Sequence, residues 1–88
     1  MNVEFAAKFE KDIDGIQDAS LKKQLLAVIE ELELADNLQN IGNIKKLKGA
    51  TYAYRIRMGD YRLGFFLEKR TCVLARFVHR KDIYNKFP

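Results

Sequence analysis

The chain holds one cysteine, one proline, one histidine and no tryptophan in 88 residues. With Cys72 alone, no internal disulfide can form and a cysteine-based metal site lacks its ligands, so this thiol reads as a small buried apolar residue. No apolar run approaches the ~20 residues of a membrane helix, and the first residues lack the pattern of a signal peptide. A cytoplasmic protein with no membrane association is expected. Carboxylates are few in the second half, where only Asp60, Glu68 and Asp82 occur, and none forms a pair suited to glycosidase-like or two-metal chemistry. A Walker phosphate loop, zinc-ligand spacing and a dinucleotide fingerprint are all missing, so neither cofactor nor metal is expected. Ser20, placed as a helix N-cap, leaves no serine nucleophile.

What the chain does have is an uneven charge distribution. Residues 1–43 carry 4 Lys+Arg against 9 Asp+Glu, net −5, whereas residues 44–88 carry 12 against 3, net +9. One domain of this length can bury a modest core and present one working surface. The asymmetry points to an acidic structural half and a basic half that attracts polyanions or an acidic protein.

Periodicity changes at the same boundary. Met1 to Phe5 reads as a first strand, and Phe9, Ile13 and Ile16 recur at helical spacing. After Ser20, the residues Leu21, Leu25, Val28 and Leu32, with Leu26 and Ile29 beside them, predict a second helix with a broad apolar stripe. Residues 36–43 read as a loop. Beyond the lysines of KKLKG (45–49), three alternating segments follow: YAYRIRM (52–58), YRLGFFL (61–67) and CVLARFV (72–78). These elements predict an α+β fold in which two N-terminal helices pack on one face of a small antiparallel sheet.

The Gly59-Asp60 pair suits a two-residue type II′ turn, which sets Met58 opposite Tyr61, Arg57 opposite Arg62, Ile56 opposite Leu63 and Arg55 opposite Gly64. Tyr54, Ile56, Met58, Leu63 and Phe65 then face the helices, and Arg55, Arg57 and Arg62 share the other side. Like charges directly across a strand pair repel unless an anion joins them, so this face calls for a bound polyanion. Arginine forks suit phosphate, and Gly64 leaves space for a ligand or another backbone. With a turn over residues 68–71, Val73, Ala75, Phe77 and His79 join the arginine face, as does Phe66. Basic groups interleaved with Phe66, Phe77 and Tyr84 resemble a single-stranded RNA surface. The same register sends Arg76 toward the core, which requires either a bulge or a place at the end of the sheet. Cleaving RNA without a metal needs groups to move protons and cations to stabilise charge on phosphorus. His79 and Tyr84 can exchange protons and the arginines supply the cations; Lys45, Lys46 and Lys48 add attraction.

KKLKG, YRIRMGDYRLGFF and LARFVHRKDIY together resemble the signature of the RelE/ParE superfamily of toxin-antitoxin toxins, in particular its RelE-like branch, over nearly the whole chain. The resemblance implies a single RelE-like toxin domain over residues 1–88. It implies a metal-independent endoribonuclease that cuts messenger RNA on the ribosome, inhibits translation, and forms a hetero-oligomer with a cognate antitoxin. By matching motif positions, the catalytic set is Arg55, Arg57, Arg62, His79, Arg80 and Tyr84. Arg62 takes the phosphate-stabilising position, Arg80 serves the leaving group and Tyr84 stacks on the nucleotide. Lys45, Lys46, Lys48, Phe66, Phe77 and Lys81 are expected to bind substrate. Relatives often place lysine where this chain has Arg55 or Arg57, and the general base stays unassigned. The alternatives are a binding toxin of the ParE type that acts on DNA gyrase, and an inactive module that binds antitoxin or RNA.

Overall fold

A computed structural model describes residues 1–49 and 52–88. Strand β1 (Asn2–Phe5) leads into helices α1 (Ala7–Asp14) and α2 (Ala19–Leu34), followed by β2 (Ile44–Lys46), β3 (Ala53–Met58), β4 (Tyr61–Glu68), β5 (Thr71–His79) and a short α3 (Ile83–Lys86). No described helix is long and apolar enough to cross a membrane. The α+β fold is as expected, but the sheet is five-stranded, ordered β1-β5-β4-β3-β2, and mixed. It is mixed because β1 pairs parallel to β5, and it is wider than the three-strand meander because Lys45 and Lys46 belong to an edge strand on β3. Three residues of β2 offer too little alternation to be read as a strand.

Helix α2 starts two residues earlier than a Ser20 cap implies. Asp18 is the N-cap, its Oδ1 accepting from the amides of Ser20 (2.9 Å) and Leu21 (3.1 Å), the arrangement that satisfies the first free amides of a helix. Leu25, Ile29 and Leu32 carry the buried stripe, while Leu26 faces solvent. These side chains and Phe9 of α1 cover Ile56, Met58, Leu63, Phe65, Cys72 and Leu74 of the sheet, forming the main core. Burial pushes the Cys72 thiol up from its ordinary pKa, so it sits there as an apolar filler.

The β3-β4 hairpin has the expected register, with Gly59 at φ +61° and Arg57 directly opposite Arg62. Strand β5 departs from expectation. Between Leu74, opposite Phe65, and Arg76, opposite Gly64, lies one extra residue, Ala75. This bulge reverses the alternation beyond it. Phe77, expected on the arginine face, is 1% exposed and packs in the helix-side core against Tyr61. His79, opposite Tyr61, also turns to that side, and Val78 takes the place beside Arg62. Past Leu74, β1 has ended and β5 has an open edge. Asp12 of α1 fills it, accepting from the Phe77 amide (2.9 Å) and from Nε and Nη2 of Arg76 (2.9 and 3.0 Å). That bidentate bond raises the Arg76 pKa, so Arg76 stays charged without entering the core.

A second, smaller core lies on the opposite face of the sheet. Ile83 and Phe87 bracket α3 and bury against Ala53 and Val78, with Leu47, Phe66 and Ala75 alongside. The space above Gly64 belongs to the chain itself: a Cβ there would stand 2.5 Å from the Phe87 ring. The expectation that this glycine leaves space for a ligand or another backbone is therefore corrected to a side chain of the same chain, and Phe66, tilted against Phe87 at 5.0 Å, is partly covered by the same ring.

Phe77→Ala is expected to destabilise the fold by about 3–5 kcal/mol in urea titrations, the range for emptying a large aromatic from a core. Gly64→Ala should lower stability by about 1–3 kcal/mol through overpacking, and Phe87→Leu in that background should recover part of the loss.

Candidate nucleic-acid interface

The bulge and the tail leave one stretch of the outer face uncovered. Strand pairing brings Lys45 of β2 beside Arg55 of β3, and Arg57 of β3 beside Arg62 of β4. With Asn43 and Tyr84 they line a hollow of about 330 Å³. Among the described residues, no carboxylate lies within ion-pair distance of these three arginines; the pairs found are Arg70–Asp36, Arg76–Asp12 and Arg80–Asp60.

Neutral oxygens hold the guanidinium groups instead. Arg62 Nη1 donates to the carbonyls of Gly59 (2.8 Å) and Tyr61 (2.9 Å), and Arg57 Nη2 donates to Asn43 Oδ1 at 3.3 Å. Such partners orient a cation without cancelling its charge. The Arg62 pKa is accordingly held below its ordinary value, first by desolvation and then by Arg57, Arg55 and Arg80. Arg55 is buried and lies under the Tyr84 ring, its guanidinium carbon 4.8 Å from the ring centre, within the range of a cation–π contact. Tyr84 itself is 76% exposed. Ile83 and Phe87, one residue before it and three after, are both buried, and the Phe87 amide donates to the Ile83 carbonyl at 2.9 Å. They anchor the turn and leave the tyrosine standing at the rim.

Of the six expected catalytic residues, four meet here: Arg55, Arg57, Arg62 and Tyr84. Arg80 lies outside the lining, its Nε 3.7 Å from Asp60 Oδ1 at the hairpin turn, yet close enough to bias Arg62. His79 stands on the other side of the sheet, and its Nδ1 accepts from the Lys81 amide at 3.1 Å. Among the expected binding residues, Lys45 joins the hollow. Lys46 pairs with Tyr54 and turns to the helix side, and Lys81 lies exposed beyond β5. Asn43 went unread in the sequence; its φ of +58° and its carbonyl, which accepts from the Arg57 amide at 3.0 Å, mark its role only in three dimensions. A larger hollow of about 570 Å³ on the helical layer is lined mainly by apolar residues such as Phe5, Ile13, Leu25 and Leu26, with Glu10, Asp14 and Lys22 as its charged groups; two carboxylates against one lysine are unsuited to a polyanion.

Comparison with known proteins gives a consistent picture. The family model described as the ParE toxin of type II toxin-antitoxin systems, parDE, matches residues 3–84. The chain is 38% identical over 89 residues to Toxin RelE3 of Methanocaldococcus jannaschii, with both chains fully covered. It superposes on a chain of the RelB-RelE antitoxin-toxin complex from Methanococcus jannaschii with a TM-score of 0.83 and 36% identity, covering 97% of this chain and 99% of that one. A chain of the archaeal RelE-RelB complex from Pyrococcus horikoshii shares the fold at a TM-score of 0.74 and 19% identity, over 90% of this chain and 93% of that one.

Because the arginines around the hollow repel one another, pyrophosphate is expected to raise the melting temperature in low salt by several degrees. Arg57→Gln should raise it without added anion and shrink the pyrophosphate shift, as read by scanning fluorimetry across a salt series.

Proposed function

This chain belongs to the ParE toxin family of type II toxin-antitoxin systems, as a toxin of the RelE type, and from that premise we propose that it cuts messenger RNA on the ribosome without a metal. The observation that carries this reading is the cluster of three arginines without carboxylate partners, bordered by an exposed tyrosine. A phosphodiester seated there would place its non-bridging oxygens among Arg55, Arg57 and Arg62, and a neighbouring base beside Tyr84. Attack of the 2′-hydroxyl on phosphorus builds negative charge on those oxygens, and preorganised cations stabilise it more in the transition state than in the ground state. The 2′-hydroxyl proton passes to water as the new P–O bond forms, the P–O5′ bond breaks to leave a 2′,3′-cyclic phosphate, and the leaving 5′-oxygen takes a proton from water.

His79 has no part in this reading, since the sheet separates it from the arginines. Arg80 reaches the phosphate only if it leaves Asp60, and its contribution here is to the local field. A site built on positioning and charge, without a strong base at hand, depends on a substrate already held in an attacking geometry. The ribosome supplies that orientation, so free RNA should be cut slowly. The partner is an antitoxin: the RelE chains of similar structure were solved with RelB, and an acidic or amphipathic segment that covers the net +9 half would block the hollow.

Primer extension on translated message is expected to find cuts positioned within codons. Arg62→Ala should slow them about 10²–10³-fold, the usual loss for one stabilising donor. Tyr84→Ala should cost at least about tenfold, as loss of a base stack does, while His79→Gln should change the rate by less than about tenfold, below the usual loss of an acid-base catalyst. Intact message together with arrested DNA gyrase would favour the binding-toxin reading instead.

A further inference from the structure

Tyr84 and Arg55 separate two hollows. On one side lies the arginine hollow; on the other lies a second of about 320 Å³, which shares Lys45, Arg55 and Tyr84 with the first and adds Leu47, Lys48, Phe87 and Pro88. The two differ in chemistry. The first is lined, beyond the shared residues, by Arg57, Arg62 and Asn43, and the second by three apolar residues and one lysine. Among the described residues, neither Lys45 nor Lys48 has a carboxylate within ion-pair distance.

We infer that the second hollow is a subsite for the nucleotide adjacent to the one whose phosphate sits on the arginines. This rests on the RNA reading of the first hollow and extends it to a two-nucleotide footprint. A single strand alternates flat apolar bases with charged phosphates. The hollow offers a matching alternation: Tyr84 with Leu47 and Pro88 for the base, over the buried Phe87, and Lys45 with Lys48 for the following phosphate. Continuity through Lys45, Arg55 and Tyr84 is what selects a nucleotide over a protein side chain, because a strand leaving the arginines passes directly over the shared wall. Phe87, buried above Gly64, forms the floor of this hollow, and Leu47, Tyr84 and Pro88 give it the accessible walls. No specific base is selected by such walls, since they offer stacking and charge without base-edge hydrogen bonds.

The test uses the full chain titrated by NMR with two uncleavable probes, a 2′-deoxy mononucleotide 3′-phosphate and the matching 2′-deoxy dinucleotide 3′-phosphate. The dinucleotide should bind about tenfold tighter, the size of one added stack, and shift resonances of Leu47 and Lys48. Lys48→Ala should bring the dinucleotide back toward the mononucleotide's affinity and reduce the slope of log affinity against log salt by about 0.7. Equal affinity for the two probes, or equal weakening of both by Lys48→Ala, overturns the subsite and leaves the arginine hollow standing. Failure of Arg57→Ala to weaken either probe overturns the RNA reading itself. If Lys48→Ala alters only the binding of an acidic antitoxin peptide, the hollow belongs to a protein partner and the inference is wrong.

Discussion

Arg57 directly across a strand pair from Arg62 is the constraint around which the rest of the outer face is arranged. Sheet pairing forces the two cations together, and Arg55 and Lys45 in the neighbouring row add to the same field. A solvated surface would relax this by spreading the side chains or admitting an acid. Here the guanidinium groups are held by backbone carbonyls and by Asn43, so their direction is fixed while their charge is left over. The protein sustains that unfavourable arrangement with the large apolar core on the opposite face, which does not touch it. Such separation of a stabilising layer from a strained working layer is a common way to keep a charged site preorganised.

Besides the β1–β5 ladder and the shared core, the acidic and basic halves are joined by a half-buried ion pair, the bond of Asp12 to Arg76 and the Phe77 amide. It lies at the edge where β1 stops, so the helix carrying it also closes the open side of β5. The tail forms the second attachment, on the other face. Four helical residues would not hold themselves in water. The tail is kept in place by two buried side chains, and its one exposed aromatic ends up beside Arg55 as a result. Positioning of Tyr84 is thus a packing problem solved by Ile83 and Phe87.

Much of this was legible in the sequence. The α2 stripe, the hairpin register and the shared face of Arg55, Arg57 and Arg62 follow from period and turn chemistry, and they hold in three dimensions. What escaped reading has a physical cause in each instance. Strand β2 is too short for a pattern, and β1 joins the sheet through a non-local parallel pairing that no local period encodes. Asp18 and Ser20 are both good caps, and only geometry chooses between them. Phe77 and His79 were assigned to the wrong side because one bulge residue shifts the alternation, although Arg76 had signalled the conflict. Gly64 reads as space for a ligand or another backbone; its occupant is a ring 23 positions along the chain, beyond the reach of any pattern rule.

Ala75 carries no charge, no ring and no polar side chain, yet it decides what the outer surface is. Counted as an ordinary ladder residue, it would have β5 turn a phenylalanine and an imidazole toward the cations; bulged out of the ladder, it leaves a valine there and the aromatics are folded away. The chemistry on display therefore depends on parity, an odd or even tally of residues in one strand's ladder. Removing Ala75 would straighten the strand and leave Phe77, Val78 and His79 on the sides they occupy, whereas drawing Ala75 into the ladder would exchange the two sides of everything downstream. Loss of the bulge, more than the identity of the residue that forms it, is the change to which this surface is most vulnerable.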